Sequence, residues 1–87
     1  MPKIIQRIEP VYPHAALHSG IGGKVVLKFL VEKNGSVSTP LVLEAQPEGI
    51  FEKNVVEAIY RWRFKPGYHN GNPVTSWVVL TFHFEKK

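Results

Sequence analysis

The sequence predicts a small α+β domain: two helices packed on one face of a three-stranded antiparallel sheet, in chain order α-β-β-α-β and sheet order 2-1-3. Three observations carry this. Lys24 to Glu32 and Val74 to Glu85 alternate side chains with the two-residue period of a strand. Asn34-Gly35 separates the first of these stretches from a second apolar run, Val37 to Glu44, which is the strongest short-range signal for a hairpin. Phe51, Val55, Ala58, Ile59 and Trp62 recur as one helical stripe.

At 87 residues the chain holds a single domain, with an extended lead-in over 1–11 and a folded core over 12–85. Hydrophobic residues make up 44% and charged residues 21%, outside the low-hydrophobicity, high-charge signature of disorder. Cysteine is absent, which excludes a disulfide scaffold, thiolate metal sites and thiol redox chemistry. Lys and Arg number 11 against 7 acidic residues, and the net charge of +4 favours acidic partners only mildly. The longest apolar stretches, Val25 to Val31 and Trp77 to Phe82, fall far short of the ~20 residues of a membrane helix. The amino end, Met1 to Arg7, has no secretory h-region. A role outside the cytoplasm would therefore require this domain to be part of a longer chain.

Each element has a local cause. Pro10 and Pro13 push the residues before them out of the helical region, so Arg7 to Val11 reads as extended. Pro13 suits the first position of a short helix carrying Ala15, Ala16 and Leu17, with Gly20 as a left-handed stop. In the first strand Val25, Leu27, Phe29 and Val31 share one face. In the second, Val37, Thr39, Leu41 and Leu43 share one side, and Pro40 confines the strand to an edge or a bulge. The second helix begins near Ile50 and ends at Pro66-Gly67, and a loop of turn formers follows to Pro73. The last strand, Val74 to Glu85, carries Val78, Leu80, Phe82 and Phe84 on one face and Thr75, Trp77, Val79 and Thr81 on the other.

The hairpin makes the first two strands neighbours, and Pro40 puts the second at the border. The third strand must then pair with the first, which leaves its own outer ladder open. An open ladder invites another chain, and this strand lacks the usual protection by proline or inward charge. Addition of an extended partner peptide is one use of such an edge; a covering tail or a dimer is the other.

Tyr12-Pro13 before a short helix, Gly23 opening a strand with Phe29 and Val31, Asn34-Gly35 with Val37, Phe51 heading a helix and Trp62-Arg63-Phe64-Lys65-Pro66 ending it resemble, as an ordered set, the carboxyl-terminal domain of the TonB family. The resemblance covers residues 7 to 85, and makes 1–87 a single TonB-like carboxyl-terminal domain. It implies a non-enzymatic periplasmic energy transducer, tethered to the inner membrane through a segment outside this sequence. The implied partners are ExbB and ExbD through that anchor, and the TonB box of outer-membrane receptors, which pairs as an added strand. The docking residues implied are Val74, Thr75, Ser76, Trp77, Val78, Val79, Leu80, Thr81, Phe82, His83 and Phe84, with Arg7, Ile8, Glu9, Pro10 and Val11 as a second contact. Tyr68 to Pro73 has the character of the wider family of periplasmic transducers, so receptor and transported ligand stay open. A TonB/TolA-like module with a non-transporter partner is the alternative, and a strand-exchanged homodimer is a further expectation of the open edge.

Other chemistry finds little support. His14 and His18 stand at the i, i+4 spacing of a zinc pair, but position 15 is Ala where the zinc-protease signature has glutamate. Ser19, Ser36 and Ser38 lack a nucleophile-elbow context. Gly20-Ile21-Gly22-Gly23 precedes a strand, whereas phosphate loops precede a helix. No aromatic ribonucleoprotein motif accompanies the modest positive charge, so no nucleic-acid partner, metal or cofactor is expected.

Overall fold

The computed structural model describes residues 1–85; Lys86 and Lys87 lie outside the described residues. The elements in chain order are β1 (Lys3–Gln6), α1 (His14–His18), β2 (Gly23–Val31), β3 (Val37–Gln46), α2 (Glu52–Ile59), β4 (Arg63–Lys65), β5 (Gly67–His69), β6 (Asn72–Val74) and β7 (Ser76–Phe84). The main sheet is antiparallel in the order β3-β2-β7. β1 with β4, and β5 with β6, form two further two-stranded sheets that the periodicity did not reveal.

β2 organises the core. Val25, Leu27, Phe29 and Val31 are fully buried on one face, each burial favouring folding by about 1.5–3 kcal/mol. They join Phe51, Val55, Ile59 and Trp62 from the helical stripe and Ala16 from α1 in one cluster. Phe82 and Phe84 of β7 complete it. Phe51 stacks on Phe84 with ring centres 4.2 Å apart, and Trp62 meets Phe82 at 5.7 Å and a steep angle. No side chain of the helical stripe is wasted: its polar flank, with Lys53, Glu57 and Arg61, is exposed.

Several expectations need correction. The second helix stops at Ile59, well before Pro66. The amides of Arg61 and Trp62 turn back to the carbonyls of Ala58 and Ile59, three residues earlier, which tightens the last turn. The chain then extends, and Arg63–Lys65 pairs with Lys3–Gln6. Trp62 stays buried, but the block after it is a strand with Phe64 inward between exposed Arg63 and Lys65. Within the lead-in Lys3–Gln6 is accordingly a strand, and Arg7 to Pro13 has no regular secondary structure.

The expected loop from Gly67 to Pro73 is a hairpin. Asn70 and Gly71 both have positive φ, 51° and 80°, as a two-residue turn between twisted strands requires. Val74 pairs with Gly67 in this hairpin, so the last strand begins at Ser76 and Thr75 is a link. In β3 the expected single apolar side is broken. The register against β2 shifts twice, once around Thr39-Pro40, where Thr39 has φ 51°. Each extra residue reverses which face the following side chains occupy. Val37 is buried, whereas Leu41 and Leu43 are 47% and 55% exposed.

Candidate functional site

β7 is paired with β2 along its whole length, from Gly23 opposite Phe84 to Val31 opposite Ser76. Its other side has no strand partner among the described residues. Alternation divides its side chains: Phe82 and Phe84 are buried and Val78 and Leu80 partly so, while Trp77, Val79, Thr81 and His83 face outward. Trp77 is 49% exposed, and the Lys28 ammonium lies over its ring, 4.6 Å from the centroid.

Across from the second half of β7 runs the lead-in. Between them opens a groove of about 510 Å³, with Arg7, Glu9, Pro10 and Tyr12 on one wall, Leu80 to Glu85 on the other, and Trp62 and Ile4 also lining it. This volume lies in the range of ordinary ligand clefts. The groove carries charges of both signs: Arg7 pairs with Glu9 at 3.0 Å, and the Arg7 guanidinium lies 5.3 Å from the Trp62 ring centre. His83 and Glu85 border it on the β7 side.

Tyr12 explains why the lead-in ends where it does. Its ring meets Phe51 edge-on at 5.7 Å and Phe84 at 5.5 Å, and its hydroxyl donates to the Ile21 carbonyl. It therefore ties the end of the lead-in to both β7 and the head of α2. Pro13 follows at once as the N-cap of α1, with ψ 130°, one position before the first helical residue where the sequence placed it. The Tyr-Pro pair thus fixes where the groove closes.

The residues singled out in the sequence separate into three places. Arg7, Glu9 and Pro10 line the groove together with Leu80, Thr81, Phe82, His83 and Phe84. Ile8 and Val11 line a smaller recess of about 300 Å³ behind the lead-in, with Asn54, Glu57, Ala58 and Arg61 of the α2 region, and Glu9 borders both spaces. Ser76, Trp77, Val78 and Val79 continue the open strand beyond the groove, and Val74 and Thr75 precede it. Sequence reasoning missed Ile4, whose strand has its partner some sixty residues away, Tyr12, which it used only as a family motif, and Glu85. It gave Trp62 only a core role, although the ring serves both core and groove. His14 and His18 sit together on α1 with ring centres 4.8 Å apart, away from the groove. Among the described residues no three or more His, Cys, Asp or Glu side chains gather as a metal cluster.

Residues 8–85 match the sequence model of the family described as Gram-negative bacterial TonB protein C-terminal. The chain belongs to the TonB carboxyl-terminal domain family. It is 39% identical over 83 residues to protein TonB of Klebsiella pneumoniae, covering 95% of this chain and 32% of the relative. With protein TonB of Escherichia coli K12 the identity is 39% over 66 residues, 76% of this chain and 28% of the relative. The solution NMR structure of the Pseudomonas aeruginosa TonB carboxyl-terminal domain superposes with a TM-score of 0.84 at 32% identity, covering 97% of this chain and 85% of that one. The chain thus spans between 22% and 34% of the length of such curated TonB relatives. TonB-family membership makes it a non-enzymatic protein. No helix among the described residues is long and apolar enough to cross a membrane.

Proposed function

We propose that this domain binds the TonB box of outer-membrane receptors as a strand added along β7. In the longer protein it then couples the inner-membrane proton motive force to uptake of iron siderophores, cobalamin or similar ligands. The single observation that supports this most is the groove itself: an edge of β7 with no strand partner among the described residues faces the lead-in across an open slot. Ladder bonds from β7 supply affinity to any extended peptide, and alternate side chains supply selectivity. Phe82 and Phe84 point into the core, so the outward row of Trp77, Val79, Thr81 and His83 remains for side-chain contacts with a guest strand. Arg7 to Val11 form the second contact, Val74 and Thr75 the entrance to the docking strand.

In this reading ExbB and ExbD act through an inner-membrane anchor outside the present sequence, and the domain works in the periplasm. The same open edge accounts for a strand-exchanged homodimer at high concentration; sedimentation that stays monomeric throughout a concentration series removes it.

A synthetic TonB-box peptide titrated into the isotopically labelled domain tests the assignment. Amide shifts concentrated in Ser76–Phe84 and in Arg7–Val11 are expected. Shifts confined to another surface overturn it.

A further inference from the structure

We propose that Asn54, acting with Trp62, is a positioning residue for the groove: its side-chain amide fixes the backbone of the lead-in as the groove's far wall. This rests on the peptide-docking reading of the groove.

From Arg7 to Tyr12 the lead-in has no regular secondary structure, so no ladder or helix bonds hold it in place before the Pro13 carbonyl accepts from the Leu17 amide. Side chains from distant parts of the chain do so instead. The Trp62 indole N–H donates to the Ile8 carbonyl at 2.8 Å, and the Asn54 amide donates to the Val11 carbonyl at 2.7 Å. Upstream, the Gln6 side-chain amide donates to the Arg61 carbonyl at 3.0 Å. All three bonds join the lead-in to α2 or to the turn that follows it.

Behind the lead-in lies the recess of about 300 Å³ bordered by Ile8, Val11, Asn54 and Arg61. The wall is therefore a strap with open space on both sides, the groove in front and the recess behind. Ile8 and Tyr12 anchor the strap by packing on the core; between them Val11 is exposed, and there the Asn54 bond fixes the backbone. Trp62 has a second reason to be where it is, since its ring fills the core. Asn54 has none. It is the third residue of α2, in the first turn of the helix, and its side-chain amide reaches out of the helix to the Val11 carbonyl.

With the strap pinned, a strand added to β7 lies between two fixed walls. Without the Asn54 bond the backbone about Val11 can retreat into the recess, and the guest strand loses part of its far wall. The loss then falls on the dissociation rate, because the β7 edge that first receives the peptide is unchanged.

The test uses Asn54→Ala, Asn54→Gln and the unaltered domain with the synthetic TonB-box peptide. Alanine removes the donor and is accepted in the first turn of a helix, so the domain is expected to stay folded. Peptide dissociation is expected to speed up about three- to tenfold, the worth of one hydrogen bond, with association within about twofold. Backbone order of Ile8–Val11 in the free domain, read by 15N relaxation, is expected to fall in Asn54→Ala and to recover in Asn54→Gln, which keeps a donor. Unchanged dissociation together with unchanged order in Asn54→Ala overturns the proposal. A peptide that leaves Ser76–Phe84 unshifted in the unaltered domain overturns the docking reading instead. The positioning role of Asn54 is then decided by the relaxation of the free domain alone, and equal order in Asn54→Ala and the unaltered domain overturns it.

Discussion

The amide of Phe64 donates to the carbonyl of Gly35 at 2.9 Å, which fastens the β2–β3 turn to β4. The approach is so close that a β-carbon on Gly35 would stand 2.0 Å from the Phe64 carbonyl oxygen, and Gly35 has φ 86°. Both facts demand glycine. Gly35→Ala is expected to destabilise the domain by about 2–4 kcal/mol, combining the left-handed penalty with overpacking. Gly71→Ala, where φ is 80° but nothing lies within 4 Å, is expected to lose only the conformational part, about 1–2 kcal/mol. Urea midpoints of the two variants check the difference; equal losses would refute the close-approach account.

Leu27 is fully buried at the centre of β2, whereas Leu41 on β3 is 47% exposed. Leu27→Ala is expected to cost about 2–5 kcal/mol. Leu41→Ala is expected to stay within about 0.5 kcal/mol. A large loss at Leu41 in chemical denaturation would contradict the register shifts that turn it outward.

Lys28 and Trp77 are neighbours on the outward face of the sheet, the ammonium lying over the ring. Half-exposed as Trp77 is, the pair is expected to couple by about 0.5–1 kcal/mol. A double-mutant cycle with Lys28→Met and Trp77→Leu measures this directly, and zero coupling at low salt removes the interaction.

The Glu52 carboxylate accepts hydrogen bonds from the Gly49 amide at 2.7 and 3.0 Å just ahead of α2. That bond, chiefly, and the amides of the first turn hold its pKa below the ordinary value. A carboxylate with a depressed folded-state pKa stabilises the fold above its unfolded pKa, and that contribution disappears as the pH falls through the folded value. The domain is therefore expected to exceed Glu52→Gln in stability at neutral pH, with the gap closing on acidification. A gap independent of pH would show that ionisation of Glu52 contributes nothing.

What the sequence made legible depended on how locally each element is determined. β2 could be read residue by residue, because Val25, Leu27, Phe29 and Val31 report their burial through alternation alone. Pro40 announced a border strand through its missing N–H. Arg63-Phe64-Lys65 was absorbed into the helix because three residues are too few to establish a period, and its strand character depends on Lys3–Gln6. Leu41 and Leu43 were misplaced because an inserted residue in a bulge reverses every later side chain without any change in composition. Asn70-Gly71 carried the same dipeptide as the recognised hairpin, but strands of three residues each gave it no flanking alternation. For the groove, strand order and motif order located the open edge of β7 and the lead-in. The bond from Asn54 to Val11 joins residues 43 apart, and nothing in a polar helical residue foretells so distant an acceptor.

β7 is matched to β2 over all nine of its residues, and antiparallel rungs stand perpendicular to the strands they join. A pull directed along β7 is shared by every rung at once, because no rung can part before the whole strand slides. A pull directed across the sheet reaches the rungs singly, from one end. The strand that the fold leaves open at its border is in this way mechanically firm lengthwise and weak to peeling, so the direction of a tug, as much as its strength, decides whether the domain keeps its shape.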